Sequence, residues 1–541
     1  MAAGMTSNSP AGDDPRATRG EWKVLPYNSQ IEAVHMAVLH TGKVLYYSGF
    51  RIAEAIQTET RLWFPRIGEV KAIPTLGDVF CAGHSFLPDG RLLSTGGTLE
   101  YRDLPAIPPW LVRLLRPFSS LLIRTFGRFV QVTPSMTGPT FMYLFDPLKE
   151  QWEFAGDMAE GRWYPTNTTL PDGRILILSG ANEGAGYGSH GPIAVNARVE
   201  VYSVTDGLKQ VATIPESAIS AQHGSGEEPP HRVFISLYPR MHVLPVSPAD
   251  KDAYPAGKAF CAGESPETKF LNLQTWEWID VARQKFGNRS DGCSVLLPLR
   301  PPDYRARVLV FGGVKDPAKD LTATETAEMI DFGKTPYAWD DVAPLRDKRV
   351  NACAILLPDG NVIAVGGNSK GLFDNPVHNV EVFDPVTSKW SLVAPMSVPR
   401  GYHSTAILLP DGRVLSAGTT PFDSHELRME VFSPPYLFKG ARPRIKEVSE
   451  RVSYGQPFEV VYEYAGAIQA AVLIRPGAVT HAFDMDQRYV ELRFDRQGTD
   501  RLTVEAPPDE HIAPPGYYML FLLSDSGVPS EAKFVHLTVR A

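Results

Sequence analysis

Short apolar segments, each bounded by a polar turn and by small residues, recur along most of the chain. Each begins with a turn such as Pro-Asp-Gly, continues with a run of Val, Ile or Leu, and stops at glycine. Apolar runs of this length between turn residues predict buried β-strands rather than helices. The seven copies end at Gly49, Gly97, Gly180, Gly263, Gly313, Gly367 and Gly418.

The spacing of these copies predicts the architecture. Successive copies are separated by 48, 83, 83, 50, 54 and 51 residues. Four of the six gaps are close to the period of about 50 residues that kelch repeats have, and the other two require about 30 extra residues each. Such a repeat predicts a seven-bladed β-propeller, in which glycine lets backbones approach where the blades crowd the axis. Six or eight blades are the alternatives, because the fourth copy is weak.

The repeat stops after Gly418, and prolines at Ser433-Pro434-Pro435 and Arg442-Pro443 indicate a domain boundary. The segments that follow are short and alternating, with turn clusters between them, a pattern typical of an immunoglobulin-like β-sandwich. The predicted fold is therefore all-β: a disordered N-terminal tail over 1–22, a seven-bladed kelch-type β-propeller over 23–440, and a C-terminal immunoglobulin-like β-sandwich over 441–541.

Composition excludes several classes of protein. The net charge of −8 excludes a globally basic nucleic-acid binder, so no nucleic-acid partner is expected. The four cysteines (Cys81, Cys261, Cys293 and Cys353) form no CxxC motif, which excludes a disulfide scaffold and a zinc ribbon. No apolar run reaches membrane-spanning length. The first twenty residues lack the apolar core of a signal peptide, so the cytoplasm is the default location.

An insertion at about 103–135 accounts for part of the extra length between the second and third copies. Within 105–130, four arginines interrupt a stripe of leucines and phenylalanines, which predicts short amphipathic helices. One interpretation is a helical flap that packs against the propeller. The other is a surface that contacts a membrane or a partner.

Candidate chemistry comes from residues that depart from the repeat. Cys81, Tyr164 and His403 each lie seven residues before the proline of a Pro-Asp-Gly turn. Equivalent positions in different blades lie at equivalent heights around the axis, so we expect these side chains to converge at one end of the channel. Tyr402 precedes His403, and His481 joins the group only if the last domain reaches into the propeller. Two histidines, two tyrosines and a thiol are suitable ligands for copper.

Each of these residues also has an ordinary structural explanation, as a buried thiol, a capping hydroxyl or a satisfied core histidine. A non-catalytic kelch scaffold that binds a partner through its loops is therefore an alternative, although it has no need for all five residues. A carbohydrate-binding or hydrolytic propeller is a third possibility. It requires paired carboxylates near the axis, and the sequence shows no clear pair.

Four segments carry a resemblance to a known family: FCAGHSFLPDGRLLSTGG, RWYPTNTTLPDGRILILSG, RGYHSTAILLPDGRVLSAG and VTHAFDMDQR. They resemble the galactose oxidase and glyoxal oxidase family of copper-radical oxidases, and the glyoxal oxidase motifs most closely. The resemblance implies one copper ion with His403 and His481 as imidazole ligands. It implies that Tyr164 is the equatorial phenolate and radical site, with Cys81 bonded to its ring as a thioether. Tyr402 is then the axial phenolate and general base.

The resemblance also implies the reaction. A small aldehyde, as its hydrate, or a primary alcohol is then oxidised by dioxygen with release of hydrogen peroxide. The protein is expected to be a monomer. Galactose oxidase stacks a tryptophan over its modified tyrosine, whereas residues 180–192 here hold no tryptophan, and Tyr187 or His190 is the candidate substitute. This difference favours small aldehydes or simple alcohols over sugars.

Overall fold

The structure is a computed structural model, and it describes residues 14–48, 59–98, 100–101, 136–183, 194–215, 235–248, 250–317, 319–371, 374–419 and 426–538. Within these ranges the secondary structure is β-strand apart from a short helix, α1 (Arg16–Arg19), and one 3₁₀ turn (Pro435–Phe438). No helix in the described ranges has both the length and the apolar character needed to cross a membrane.

Seven antiparallel sheets form the blades of a propeller, each built on four strands, and the sheets of blades 1 and 3 carry additional strands. Strand β1 (Glu21–Asn28) comes first in the chain and belongs to the last blade. Blade 1 contains β2 (His35–Val38), β3 (Val44–Ser48), β4 (Glu59–Phe64) and β5 (Glu69–Ile73). Blade 2 contains β6 (Gly83–Phe86), β7 (Leu92–Thr95), a small hairpin of β8 (Glu100–Tyr101) and β9 (Met136–Thr137), and then β10 (Phe141–Asp146) and β11 (Gln151–Asp157). Blade 3 contains β12 (Trp163–Thr169), β13 (Ile175–Glu183) with the short β14 (Ala194–Val195) beside it, β15 (Arg198–Ser203) and β16 (Gly207–Thr213).

The remaining blades repeat this order. Blade 4 contains β17 (Met241–Leu244), β18 (Lys258–Cys261), β19 (Glu267–Asn272) and β20 (Trp278–Arg283). Blade 5 contains β21 (Cys293–Leu296), β22 (Arg307–Phe311), an extra hairpin of β23 (Val314–Asp316) and β24 (Asp320–Ala323), then β25 (Ala327–Asp331) and β26 (Trp339–Val342). Blade 6 contains β27 (Cys353–Leu356), β28 (Val362–Val365), a second hairpin of β29 (Asn368–Lys370) and β30 (Asp374–Pro376), then β31 (Glu381–Asp384) and β32 (Lys389–Leu392). The two extra hairpins form one sheet between blades 5 and 6.

Blade 7 is completed by both ends of the propeller sequence. It contains β33 (Ser404–Leu408), β34 (Val414–Gly418) and β35 (Arg428–Ser433), and its fourth strand is β1. Glu21 pairs with Ser433 in antiparallel register. The ring of blades is thus closed by backbone hydrogen bonds between segments that are distant in the chain.

The repeated turns explain why the inner hairpins form. In the third copy, Gly173 has φ 82°, a conformation that costs glycine little, and the Asp172 carboxylate accepts the Arg174 backbone N–H at 3.0 Å. The copies at Asp89 and Asp411 make the same bond. First strands such as β2, β6 and β12 are buried at every position, whereas outer strands such as β5 and β11 are exposed or half-buried at all but one position each. Burial within a blade therefore decreases from the first strand, near the propeller axis, to the last strand, at the outer edge.

The last domain is a sandwich of two sheets. Its strands are β36 (Arg444–Val448), β37 (Arg451–Ser453), β38 (Pro457–Glu463), β39 (Ile468–Ile474), β40 (Ala478–Thr480), β41 (Phe483–Asp484), β42 (Tyr489–Leu492), β43 (Phe494–Gln497), β44 (Arg501–Glu505), β45 (Gly516–Ser524) and β46 (Lys533–Thr538). One sheet has the order β36-β38-β44-β43 and the other β37-β46-β45-β39-β42. The hairpin of β40 and β41, called the finger below, leaves the sandwich and pairs with β2 of blade 1, with Thr480 opposite His35.

The predicted fold class is confirmed, including seven blades and a C-terminal sandwich. All seven predicted repeat copies form the second strands of the blades. The predicted tail over 1–22 differs from the structure, because α1 and the start of β1 lie within it. Trp22 explains the order there, since its ring stacks on Phe432 at 5.0 Å and its Nε1 donates to the Ala394 carbonyl. The insertion at 103–135 lies outside the described residues, and the domain limits 23–440 and 441–541 stay predictions.

Candidate active site

Three blade-entry loops and the finger bring the candidate residues together near the propeller axis. Cys81 lies just before β6, Tyr164 lies at the start of β12, and Tyr402 and His403 lie just before β33. His481 is at the tip of the finger, between β40 and β41. The last domain therefore reaches into the propeller. His481 could join the other candidate residues only on this condition.

Four of these residues have a left-handed backbone: φ is 64° at Cys81, 62° at Tyr164, 65° at His403 and 46° at His481. This conformation is unfavourable for residues other than glycine, and each case costs on the order of 1–3 kcal/mol. Such strain persists only where the surroundings impose it, and it is concentrated at functional sites.

The surroundings here include a ring of hydrogen bonds between blade-entry loops. The Tyr164 N–H donates to the Cys81 carbonyl at 3.0 Å, and the Tyr238 N–H of the next blade donates to the Tyr164 carbonyl at 2.8 Å. The Asn351 N–H donates to the Asp291 carbonyl in the same way, at 3.0 Å. The entry loops of blades 2, 3 and 4 are thus joined to one another, as are those of blades 5 and 6.

Tyr238, Asp291 and Asn351 are members of this ring that the sequence analysis did not single out. All three have left-handed backbones and, like Cys81, lie seven residues before a proline. For Asn351 that proline begins a Pro-Asp-Gly turn, so the signal was available. For Tyr238 and Asp291 the proline is not followed by Asp-Gly, and the motif is lost.

Buried ion pairs anchor the entry loops to the third strands of their blades. In blade 3, the Arg162 guanidinium donates to Glu200 at 2.7 Å and also to the carbonyls of Ser179 and Arg198. Arg162 is fully buried and lies two residues before Tyr164. The same pairing recurs as Arg289–Glu328 in blade 5 and Arg349–Glu381 in blade 6. Each pair fixes the loop that carries the ring residue.

The functional atoms converge closely. The Cys81 Sγ and ring nitrogens of His403 and His481 lie within 4.8 Å of one another, with Sγ 4.0 Å from His481 Nε2. The hydroxyls of Tyr164 and Tyr402 hydrogen bond to each other, and Cys81 and Tyr164 belong to the same packed cluster of buried residues. All five predicted site residues therefore occupy a single pocket.

The tautomer of His481 follows from its neighbour. The Thr480 hydroxyl donates its single proton to the Val34 carbonyl at 3.1 Å, so it must accept a hydrogen bond from His481 Nδ1 at 2.7 Å. The Nδ1 atom then carries the proton, and the lone pair is on Nε2, which faces Cys81. An imidazole oriented in this way is ready to bind a metal ion.

Aromatic rings enclose the pocket. Trp163 and Tyr238 both stack on Tyr164, with ring centroids at 3.7 Å and 4.4 Å. Tyr402 stacks on His403 at 3.8 Å. The sequence offered Tyr187 or His190 as the ring over Tyr164, and both lie outside the described residues. Trp163, the residue next to Tyr164 in the chain, was missed as a stacking partner.

Electrostatics in the pocket favours neutral side chains when no cation is present. Burial lowers the pKa of His403 to about 3 and that of His481 well below its usual value. Burial raises the pKa of Tyr164 and of the Cys81 thiol well above their usual values. The donors are therefore two neutral imidazoles and two phenols that would lose protons to a metal cation. Nitrogen and oxygen donors of this kind fit Cu(II).

A pair of buried histidines lies behind Cys81. The Cys81 N–H donates to His35 Nε2 at 2.9 Å, so the proton of His35 is on Nδ1. That atom lies 3.2 Å from His84 Nδ1, which must act as the acceptor. His35 was not predicted from sequence, and it secures the strained backbone from which the Cys81 thiol projects.

Comparisons with known proteins give matches over both domains. The family description "Galactose oxidase-like, Early set domain" matches residues 442–537, and "Glyoxal oxidase N-terminus" matches residues 275–436. Aldehyde oxidase GLOX of Vitis pseudoreticulata is 27% identical over 96% of this chain and 97% of its own length. Galactose oxidase of Gibberella zeae is 25% identical over 92% of this chain and 68% of its own length.

One solved structure is similar to this chain over nearly its whole length. It is described as a novel fungal alcohol oxidase with catalytic diversity among the AA5 family, in complex with copper. The TM-score is 0.75 at 25% identity, over 96% of this chain and 100% of that chain.

Fold and pocket together define a propeller–sandwich protein in which residues of both domains form one group of side chains that could hold a metal ion. The matches cover both domains and confirm the resemblance of this chain to the galactose oxidase and glyoxal oxidase family.

Proposed function

We propose that this protein is a copper-radical oxidase, which oxidises a small aldehyde, as its hydrate, or a primary alcohol with dioxygen and releases hydrogen peroxide. The convergence of Cys81, Tyr164, Tyr402, His403 and His481 in one pocket supports this proposal. A scaffold that binds partners through exposed loops has no use for a strained and buried group of this composition. The activities named for the aldehyde, galactose and alcohol oxidases above point the same way.

We assign one copper ion to the pocket. His403 and His481 would bind it through imidazole nitrogens, and Tyr164 and Tyr402 through phenol oxygens. When bound, the ion would supply one-electron redox chemistry and Lewis acidity, neither of which the side chains possess. The Thr480 hydroxyl holds His481 in the tautomer that this role requires.

Tyr164 and Cys81 would form the second redox group. The thiol and one ring C–H of Tyr164 each lose a hydrogen as the C–S bond forms, and dioxygen takes up both as hydrogen peroxide. The thioether spreads an unpaired electron beyond the phenol ring and makes the radical easier to form. The close contact of the Cys81 thiol with Tyr164, and the rings of Trp163 and Tyr238 stacked on Tyr164, are the supporting observations.

Two tyrosines would divide the chemistry on the substrate. Tyr402, as phenolate, accepts the proton of the substrate hydroxyl as general base. Tyr164, in its radical form, removes a hydrogen atom from the substrate carbon. The second electron would be taken up by the one-electron chemistry that a bound copper ion supplies, so the substrate loses two electrons and two protons in total, and dioxygen receives them as hydrogen peroxide. The hydrogen bond between the two phenol oxygens supports this proposal, because both groups would then be within reach of one substrate carbinol.

Small substrates suit the pocket because four of its five residues are buried and His403 is half-buried. Tyr402 is 8% exposed, Tyr164 and His481 are 6% exposed, and Cys81 is 1% exposed. We therefore propose small aldehyde hydrates or simple primary alcohols as the substrate class, in preference to sugars.

The decisive test is the cross-link. The purified protein is loaded with copper in air, digested, and analysed by mass spectrometry for a peptide pair joined between Cys81 and Tyr164 with loss of two hydrogens. Cys81→Ser should abolish both the cross-link and peroxide release from small aldehydes and alcohols. Cys353→Ser, at a buried thiol in blade 6, should leave both intact. Unmodified peptides from fully copper-loaded protein would favour a non-catalytic propeller.

Two further predictions concern partners. A monomeric state is tested by the mass of the protein in solution. Contact of residues 105–130 with a membrane or partner stays a prediction, because these residues lie outside the described ranges. Deletion of 105–130 should reduce binding to liposomes, and unchanged binding would contradict a membrane role.

A further inference from the structure

A small cavity lies where the sandwich meets the inner strands of the propeller. It has a volume of about 20 Å³. Thr168 of blade 3 and His242 of blade 4 line one side, and Arg475, Asp486 and Arg488 of the last domain line the other. None of the five residues proposed for the copper centre lines this cavity.

The two arginines differ in their surroundings. The Arg475 Nε donates to the Asp486 carboxylate at 2.9 Å, and its other nitrogens donate to carbonyls and to the Thr169 hydroxyl. Arg488 donates through Nη2 to the Val243 carbonyl at 2.8 Å. Its Nη1 is buried and has no hydrogen-bond partner within the described ranges, where no carboxylate pairs with Arg488 either.

Among the residues that line the cavity, two arginines face a single carboxylate. Asp486 is in an ion pair with Arg475, whereas Arg488, only 4% exposed, has no carboxylate at ion-pairing distance in the described ranges. A buried charge without a counter-charge is costly, and a water molecule would satisfy the hydrogen bond but not the charge. A cavity needs about 10–15 Å³ to hold one water molecule, so this one admits a single water or a single small ion.

We propose that this cavity binds one monatomic anion of the chloride type against the Nη1 group of Arg488. The anion would balance the guanidinium and accept hydrogen bonds from it. It would also join Arg488, four residues beyond the finger, to the inner strands that carry Thr168 and Val243. The anion would therefore stabilise the junction on which the finger is mounted. This inference does not depend on the oxidase proposal.

Diffraction with bromide tests the site in the unaltered protein. Crystals of the copper-loaded enzyme are soaked in bromide, and anomalous scattering is collected at the bromine edge. We expect a peak in this cavity within hydrogen-bonding distance of Arg488 Nη1. A cavity that contains only water density under these conditions would overturn the proposal.

Thermal unfolding supplies the second test. Chloride replaces gluconate at constant ionic strength, and we expect the midpoint to rise by about 1–4 °C between about 1 mM and about 100 mM chloride. Arg488→Gln should lose this dependence and be no less stable than the wild type at low chloride. Arg300→Gln, at a part-exposed arginine paired with Glu491, should retain it.

Metal-free protein separates this site from chloride bound to copper. The chloride dependence should survive removal of copper, and its disappearance would overturn the proposal. Arg488→Lys, which keeps the charge, serves as the second variant if Arg488→Gln does not fold. It should retain a chloride dependence, and the bromide experiment on the wild type needs no variant at all.

Discussion

The buried pair between Arg162 and Glu200 allows a test of how strongly blade packing controls the position of Tyr164, the proposed radical site. Glu200→Gln preserves the size of the side chain and one hydrogen-bond acceptor, and it removes only the negative charge. Arg162 is fully buried, its guanidinium lies 2.7 Å from Glu200, and it supports the loop that leads to Tyr164.

The magnitude follows from the burial of the pair. Removing one charge of a buried pair leaves the other uncompensated, which typically costs about 3–5 kcal/mol of unfolding free energy. Since glutamine can still accept a hydrogen bond, we expect the lower end, about 3 kcal/mol. A shift of Tyr164 by about 1 Å would cost about a hundredfold in turnover.

Blade 6 offers a matched control. Glu381 pairs with the fully buried Arg349 at 2.8 Å, and this loop leads to Asn351, which has no proposed catalytic role. Glu381→Gln should lower the unfolding temperature of metal-free protein about as much as Glu200→Gln does. Only Glu200→Gln should reduce the cross-linked fraction and the peroxide released per copper.

Two results would refute this reasoning. If Glu381→Gln reduced turnover per copper as much as Glu200→Gln, the loops would not position their residues individually. If Glu200→Gln left the unfolding temperature unchanged, the pair would not stabilise the blade.

Three other changes give separate tests. Thr480→Val removes the acceptor that orients His481, and it should weaken copper binding about 10–100-fold in a chelator competition. His35→Phe leaves the Cys81 N–H without an acceptor, at a cost of about 1–3 kcal/mol, and it should slow cross-link formation, followed by mass spectrometry. Burial lowers the pKa of His84 to about 3, so below about pH 6.5 the unfolded chain binds a proton that the folded chain does not. The unfolding temperature of metal-free protein should therefore fall between pH 7 and pH 5.

Each of these tests has a control. Thr480→Ser keeps the hydroxyl and should bind copper normally, and equal loss in both variants would contradict the tautomer argument. His35→Gln keeps an acceptor and should restore part of the cross-linking rate that His35→Phe loses. Glu264 and Asp484 act against the pH trend, because burial raises their pKa values to about 7 and about 6. The buried histidines outnumber them, so a rise in stability at pH 5 would contradict the prediction.

Much of the fold could be predicted from short motifs within each repeat copy. Pro-Asp-Gly turns, apolar runs and glycine stops recur within each copy, so the second strands could be placed directly from the sequence. The spacing before Pro88, Pro171 and Pro410 likewise predicted which loops carry Cys81, Tyr164 and His403.

What could not be predicted depends on partners far away in the chain. Strand β1 lacks the repeat motif, and its partner lies about four hundred residues later. Arg162 lies in an entry loop and Glu200 in the third strand of the blade, and nothing in their local sequence marks them as a pair. His35 acquires its role only because the fold places it beneath the Cys81 amide.

The closure of blade 7 by β1 sets an order of events during synthesis. Glu21 leaves the ribosome 412 residues ahead of Ser433, its partner. At about 5–20 residues per second, the first strand waits about 20–80 s for the sheet it completes. His481 is made later still, so a chain that has not yet reached the finger lacks one of the proposed copper ligands. Copper-dependent oxidation would therefore begin only after translation has passed the finger, and a thioether would mark a molecule in which the finger has been made.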